Sequence, residues 1–419
     1  MQATAVKPIT LTADQQSAMD SFHDFLLDPQ QTVFVITGYS GCGKSTLVRT
    51  IIDTLPSFKQ AIALVDSDWK YETVLTATTN KAAENLSQIV GDDARTIHSF
   101  LGLRVQTDWK TGNTTLVATN HTPLENYLVF IDEASQIDNS LLQKIFERLA
   151  RCKVVFIGDP AQLTAVNSSK APVFHANFNE AKLTEVVRQA AGNPIVDLST
   201  KFRNTVNTGQ FFSFKPDGHH IKHMDRDSFN EAIKAEFTRP DWRFSDSKIL
   251  GWTNKCVISY NQQVRALVGS QPDFQVGEYA ICNSYMSYGR NKNIKTEQLV
   301  QITRITDPAE SHGVPGKLYE VDNYMIFFMP ETYEARAQAI KKFKAEGNLV
   351  IANTIDQDWI DLRAAYACTI NKAQGSTFDK VFIDLNDVSK CNNGDTLARL
   401  LYVAVSRARN HVYLTGDLA

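Results

Sequence analysis

Near the N-terminus, Gly38-Tyr39-Ser40-Gly41-Cys42-Gly43-Lys44-Ser45 has the residue types and spacing to grip a polyphosphate. It fits G-x-x-x-x-G-K-[ST], follows the apolar run Val33–Thr37 and opens a segment of helical periodicity, Leu47–Leu55. Glycines let backbone N–H groups close around phosphate oxygens, and a helix N-terminus adds positive potential. Lys44 is expected to reach the β- and γ-phosphates and the Ser45 hydroxyl to ligate Mg²⁺, with Gly38, Ser40, Gly41, Cys42, Gly43 and Thr46 lining the same cradle. At ordinary glycine content the pattern arises by chance roughly once or twice in a hundred chains of this length. The strand–loop–helix setting makes it rarer still.

A second constellation matches the first. The apolar run Leu128–Ile131 delivers Asp132 and Glu133 at its carboxyl end. Asp132 is the candidate Mg²⁺ ligand, directly or through water, and Glu133 the group that polarises an attacking water. Alone, an apolar run ending in Asp-Glu is as readily a capped strand end. Paired with the phosphate loop it specifies nucleoside triphosphate hydrolysis, without saying what the hydrolysis drives.

The elements that position these groups follow from hydrophobic pattern. Four β-rich runs, Val33–Thr37, Thr73–Ala77, Tyr127–Ile131 and Val154–Ile157, are separated by helical segments such as Leu47–Leu55 and Lys81–Ile89. Continuous apolar strands alternating with helices imply a parallel sheet covered on both faces, which binds ligands at the carboxyl ends of its strands. Leu101–Glu125, with Trp109-Lys110-Thr111-Gly112-Asn113 between two β-prone arms, predicts an inserted hairpin. A second α/β pattern starts near Ala191, with candidate strands Lys248–Thr253 and Lys380–Leu385. Asp273–Ile360 interrupts it. Short β-like runs there (Glu278–Cys282, Leu299–Ile305, Tyr324–Met329) precede a charged helical stretch, Glu331–Glu346. This predicts a small β-barrel-like insertion with a helical projection.

Bulk composition sets limits. The 419 residues are enough for about three domains. Hydrophobic content of 43% and charged content of 21% are ordinary for a soluble globular protein. No apolar run suggests a membrane span, and the first ten residues do not read as a secretory leader. None of the six cysteines forms a C-x-x-C pair, which argues against a zinc site or disulfide framework and fits a reducing compartment. A net charge of −3 excludes a whole-molecule positive field, so nucleic acid would have to be held in a local groove.

Further motifs, taken in order, resemble those of superfamily 1 helicases, most closely the RecD/Dda-type group that moves 5′ to 3′. Leu11-Thr12-Ala13-Asp14-Gln15 resembles the glutamine motif, and Gln15 would offer its amide to the adenine edge; without the other motifs it reads as a surface glutamine. Thr76–Ala83 resembles motif Ia and Arg95-Thr96-Ile97-His98-Ser99 motif Ib, which offer hydroxyls, amides and N–H groups to phosphates. Gly158-Asp159-Pro160-Ala161-Gln162-Leu163 is similar to motif III, in which Gln162 senses the γ-phosphate. Leu183–Gln189 resembles motif IV, with Arg188 toward the same phosphate, and Trp252-Thr253-Asn254 resembles the DNA-facing motif of the second motor domain. Thr369–Thr377 resembles motif V and keeps Lys372, Gln374, Gly375 and Ser376, with Asn371 where the family often has His. Leu401–Arg409 resembles motif VI: Arg407 is the expected arginine finger, and Arg409, its nearby alternative, reads as a helix-surface residue.

The resemblance runs from Leu11 to the last ten residues. It implies an α/β fold of two RecA-like P-loop domains with parallel sheets, plus a β-hairpin insertion and an SH3-like β-barrel insertion. The expected borders are 1–98 with 126–190 for the first motor domain and 99–125 for the hairpin pin. The second motor domain takes 191–272 with 361–419, and the SH3-like accessory domain with its projection takes 273–360. ATP with Mg²⁺ would sit between the motor domains, whose opening and closing would move them along single-stranded DNA and separate a forked duplex. Thr78, Asn80, Thr96, His98, Thr253, Asn254, Lys372 and Ser376 are the implied nucleic-acid contacts. Trp109 is either a wedge at the fork or a ring folded onto the domain surface. A monomer in the cytoplasm (of a host, if phage-encoded), with no membrane partner, and with single-strand-binding, replication or recombination proteins as partners, completes the expectation. Rival readings are a nucleotide switch on nucleic acid, a P-loop kinase, and RNA as the track. The switch requires a defective catalytic set, and the kinase does not require motifs Ia, III, V and VI together.

Overall fold

The apolar runs of the first half form the middle of a six-stranded parallel sheet in the structure, a computed structural model that describes all residues except 1–9, 64–69, 108–113, 121, 166, 167, 169, 186–191, 272, 290, 291 and 419. The chain divides into two compact units, Met1–Val196 and Asp197–Ala419.

The first unit runs α1 (Ala13–Leu27), β1 (Val33–Gly38), α2 (Lys44–Ala63), β2 (Glu72–Ala77), α3 (Asn80–Val90), β3 (Ala94–Thr96) and α4 (Ile97–Leu101). It continues through β4 (Leu103–Thr107), β5 (Thr114–Ala118), β6 (Leu124–Glu125), β7 (Tyr127–Asp132), α5 (Asn139–Arg148), β8 (Leu149–Ala150), β9 (Lys153–Gly158) and β10 (Asn179–Leu183). Strand order is β10-β1-β9-β7-β2-β3, all parallel. Consecutive side chains of a strand point to opposite faces, and both faces are covered here. Phe34, Ile36 and Phe130 join one cluster with residues of α1, α2 and α3, while Val35, Val129, Ile131 and Phe156 join another with residues of α4 and α5. The hairpin expected at Leu101–Glu125 is the antiparallel pair β4–β5, in register from Leu103↔Ala118 to Thr107↔Thr114. β10 has no counterpart among the apolar runs of the sequence. Its Asn-Glu-Ala-Lys-Leu lacks a continuous apolar run because an edge strand buries only Ala181 and Leu183.

The second unit carries α6 (Pro194–Thr208), β11 (Ile221–Met224), α7 (Arg226–Phe237), β12 (Ser247–Gly251), α8 (Asn254–Leu267), β13 (Tyr279–Cys282), β14 (Met286–Tyr288), β15 (Lys292–Ile294), β16 (Leu299–Ser311), β17 (Val314–Val321) and β18 (Met325–Pro330). It ends with α9 (Tyr333–Ala345), α10 (Leu349–Asp358), β19 (Leu362–Arg363), β20 (Ala367–Thr369), α11 (Ile370–Ala373), β21 (Phe378–Asp384), α12 (Leu385–Val388), α13 (Gly394–Ser406) and β22 (Ala408–Thr415). A second parallel sheet has the order β11-β22-β21-β12-β20, so the two anticipated strands, β12 and β21, lie side by side in it.

The interrupting segment is a five-stranded antiparallel sheet, β18-β17-β16-β13-β19, with its own apolar core around Ile302, Val321 and Met325. Its last strand, Leu362–Arg363, lies beyond residue 360, because Leu362 pairs with Cys282 across the start of the insertion. The projection is two helices rather than one. Gly347 takes φ +75°, the Asn348 side chain caps the next turn, and α10 returns along α9 to pack Ile355 against Ala339, Phe328 and Trp359. No described helix is long and apolar enough to cross a membrane, and no disulfide is formed among the described residues.

Candidate functional site

Parallel register brings the motif-bearing strand ends of the first sheet to one edge. Thr37 pairs with Gly158, Ala77 pairs with both Asp132 and Thr96, and Ile131 pairs with Phe156. The phosphate loop after β1, the motif III loop after β9, the carboxylate pair at the end of β7, and motifs Ia and Ib after β2 and β3 therefore line one crevice edge.

Within the loop, Gly41 and Gly43 adopt φ +88° and +79°, in the left-handed region that favours glycine. Gly38 is required for closeness instead: a Cβ there would lie 2.4 Å from the Cys42 Sγ and 3.0 Å from the Leu183 Cβ. Lys44 curls back over the loop, and its Nζ donates to the carbonyls of Gly38 and Tyr39, the latter at 3.0 Å. Ser45 and Thr46 lie half-buried in the first turn of α2.

Gln15, expected to face adenine, has its amide committed within the protein. It is 2% exposed; its Oε1 accepts from the Thr12 N–H at 3.0 Å, and its Nε2 donates to the carbonyls of Cys42 (3.4 Å) and Gly43 (3.3 Å). Gln15 thus closes a capping box at the start of α1 and buttresses the phosphate loop. Its neighbour Asp14, absent from the sequence-based candidates, accepts from the N–H groups of Thr184 (2.7 Å) and Glu185 (3.0 Å). Burial pushes the Asp14 carboxyl up, but those donors outweigh it and hold the group below the usual carboxylate range. The segment that leads toward Arg188 is tied down this way; Arg188 itself lies outside the described residues.

Asp132 accepts from the Glu133 N–H at 2.8 Å through Oδ1. Burial and the adjacent Glu133 charge raise its pKa to about 7, against the pull of that N–H and of the Lys44 ammonium. The Ser45 hydroxyl and the Asp132 carboxylate are the hard-oxygen donor types that would suit Mg²⁺. Glu133 has φ +55°, uncommon for a residue with a side chain, and the 3₁₀ turn Ala134–Gln136 follows directly. In motif III, buried Asp159 accepts from the Ala161 N–H at 2.9 Å and fixes the turn that carries Gln162, itself 5% exposed. The Thr37↔Gly158 pairing sets motif III next to the phosphate loop. Burial pushes the Cys42 thiol up, with a smaller push from Asp159 and an opposing pull from Lys44.

The Thr78 hydroxyl donates to the Glu133 carbonyl at 3.2 Å, and the Thr78 N–H to the Asp132 carbonyl at 3.3 Å. Asn80 opens α3, which Thr79 caps. Thr96 caps α4, and His98 lies in that helix. Burial lowers the His98 pKa, against a pull from Asp138, which favours the neutral imidazole. Trp109 falls outside the described residues.

In the second unit the candidates gather around the ends of β12, β20 and β21. Thr253 caps α8, and both its N–H and its hydroxyl donate to Asp387, at 2.8 and 2.7 Å; the Trp252 N–H adds a third bond at 2.7 Å and the Lys390 Nζ a fourth at 2.8 Å. Asp387 is 2% exposed. Asn254 next to it is exposed. Asn261 of α8 accepts from the N–H groups of Tyr366 (3.1 Å) and Ala367 (2.9 Å) and donates to the Ala367 carbonyl (3.1 Å), which fixes the strand entering motif V. Asp387 and Asn261 were invisible in the motifs, since their partners lie more than a hundred residues away in the chain.

Lys372 is not presented as a bare cation. Its Nζ donates to the Asn283 Oδ1 and pairs with Glu297 at 2.5 Å, both in turns of the insertion, after β13 and before β16. Ser376 is buried, and its carbonyl accepts from the Arg407 Nη1 at 3.1 Å. Arg407 is 4% exposed; its other nitrogens reach the Val403 carbonyl (3.1 Å) and the Ser406 hydroxyl (2.9 Å). The expected finger is thus folded onto motifs V and VI, which it ties together. Arg409 is half-exposed and pairs with Asp379 at 3.2 Å.

A family model described as an AAA domain matches residues 10–225, more than half of the chain, and one described as a UvrD-like helicase C-terminal domain matches residues 364–415. The ATP-dependent DNA helicase dda of Enterobacteria phage T4 is 26% identical over 96% of this chain and 98% of its own length. The ATP-dependent DNA helicase Pif1 of Bdellovibrio bacteriovorus is 26% identical over 97% of this chain and 87% of its own. A Pif1 helicase structure, from work on DNA unwinding at forked duplex, aligns over 97% of this chain and 92% of its own with a TM-score of 0.51 at 18% identity, which bears on the fold alone. The chain belongs to the Pif1/Dda/RecD-like superfamily 1 helicases, ATP-hydrolysing P-loop enzymes.

Proposed function

We propose that this chain uses ATP with Mg²⁺ to move 5′ to 3′ along single-stranded DNA and to separate duplex ahead of it. The observation that supports the reading is the shared sheet edge: the phosphate loop, Asp132-Glu133 and Gln162 end or follow strands β1, β7 and β9 at the same edge where Thr78, Asn80, Thr96 and His98 end or follow β2 and β3. Hydrolysis and nucleic-acid contact then act at neighbouring strand ends of one sheet. Lys44 holds the β- and γ-phosphates, Ser45 and Asp132 hold Mg²⁺, and Glu133 orients and deprotonates the attacking water. Arg188 would supply positive charge to the transferred phosphate, and Arg407 would do so on leaving its bonds to Val403, Ser376 and Ser406. Backbone-directed groups rather than base-reading ones suit movement on any sequence. The relatives named as ATP-dependent DNA helicases support DNA as the track. Direction rests on the RecD/Dda-type motifs.

The test is unwinding of a short duplex bearing either a 5′ or a 3′ single-stranded tail, with Lys44→Ala as control. Unwinding of the 5′-tailed substrate alone, lost in the control, is the expected result. Unwinding of only the 3′-tailed one removes the direction and keeps the motor. Activity on RNA-tailed but not DNA-tailed substrate replaces the track.

A further inference from the structure

Arg148, in the last turn of α5, is 6% exposed, and its guanidinium bridges two main-chain carbonyls: Nε donates to Leu101 at 3.3 Å and Nη1 to Thr122 at 2.7 Å. Those carbonyls flank the hairpin. Leu101 ends α4 just before β4 begins, and Thr122 lies on the return segment after β5. A further rung closes the root between them, where the Gly102 carbonyl accepts from both the N–H and the hydroxyl of Thr119, each at 2.9 Å. Leu103, Leu116 and Ala118 seat the base of the ribbon on the core.

A buried guanidinium is costly unless its donors are satisfied, so its occurrence here marks a committed arrangement. Its planar fork has fixed geometry; one arginine on two backbone segments therefore sets their spacing and angle in a way that a single ammonium does not. The element that carries it is also informative. α5 begins with Asn139, capped by Asp138, shortly after Glu133, and its ten residues span about 15 Å. One rigid helix thus runs from the catalytic strand end to the hairpin root.

We infer that Arg148 is the positioning residue of the β4–β5 hairpin: it fixes the angle at which the ribbon leaves the α/β core, and strand separation depends on it while hydrolysis does not. The inference rests on the reading of β4–β5 as the element that splits duplex.

The experiment compares full-length Arg148→Met, Arg148→Lys and a chain in which residues 104–117 are replaced by a short glycine turn. Unwinding of a forked duplex, ATP turnover stimulated by single-stranded DNA, and the thermal transition are measured for each. Loss of two charge-assisted bonds is expected to slow unwinding by Arg148→Met about tenfold or more. Turnover is expected to stay within about twofold of the parent, with one cooperative transition. Arg148→Lys, which keeps the charge but not the fork, is expected to fall between; if Arg148→Met does not fold, this variant carries the test. Unwinding at the parent rate, or unwinding and turnover falling together, overturns the inference. If the hairpin replacement itself unwinds as well as the parent, the reading of β4–β5 fails. That differs from a failure of Arg148, where the replacement stops unwinding and Arg148→Met does not.

Discussion

The Thr78 hydroxyl donates to the carbonyl of Glu133 at 3.2 Å, so a residue of the implied strand-binding motif Ia is bonded to the backbone that carries the implied catalytic carboxylate. That backbone sits at φ +55°, a conformation that costs on the order of 1 kcal/mol or more and persists only when its surroundings hold it. The bond gives strand contact at the end of β2 a direct route to the end of β7.

Thr78→Val removes this donor and leaves β-branched shape intact. The ratio of DNA-stimulated to basal ATP turnover is expected to fall by about tenfold, the worth of one hydrogen bond at an orienting group. Steady-state turnover with and without oligonucleotide measures it. An unchanged ratio removes the coupling role.

Glu133→Gln keeps the size of the side chain and loses its basicity. ATP turnover is expected to drop by about 10²- to 10⁴-fold, with nucleotide affinity retained. Lys44→Ala is expected to lose both. Equilibrium binding of a fluorescent ATP analogue beside turnover separates the two.

Asp387→Asn is expected to loosen the Trp252-Thr253 turn, and with it the grip of the second unit on single-stranded DNA, by about five- to tenfold in Kd. The stability effect has a defined pH window. Burial pushes the Asp387 carboxyl up, but Lys390 together with the Thr253 and Trp252 donors outweighs burial and holds it below its ordinary value. A carboxylate with a depressed folded pKa contributes stability that is fully present above the unfolded value, about 3.9, and is lost as pH falls below it. The difference in Tm between parent and variant should therefore be constant from pH 5 to 8, by about that reference value, and shrink only in stronger acid. A difference that changes near neutrality contradicts this assignment.

Glu297→Gln releases Lys372 from its ion pair. If the ammonium serves phosphate, single-stranded DNA should then bind about threefold more tightly at low salt, and less so as salt rises. Lys372→Ala should weaken binding in the same assay. Weaker binding by both variants would make the pair a brace between motif V and the inserted sheet.

What the sequence determined by itself is what neighbours in the chain determine. The phosphate loop is legible because its glycines, Lys44 and Ser45 are contiguous, and their conformation follows from local φ preferences and a helix start. Asp132-Glu133 is legible because an apolar strand of a two-sided sheet announces where it ends. The antiparallel insertion showed through its short β-like runs, less sharply, since β17 and α10 needed partners to become visible. Tertiary structure alone decided which donors meet which acceptors. Gln15 turns its amide to Cys42 and Gly43, Arg148 spans the hairpin root, Asp387 holds Thr253, Lys372 meets Glu297, and Arg407 folds onto Ser376. Each of these is a bond between groups whose separation in the chain carries no periodic signal. Strand register and helix packing bring such groups within about 3 Å, where the cost of leaving a buried polar group unpaired selects the partner.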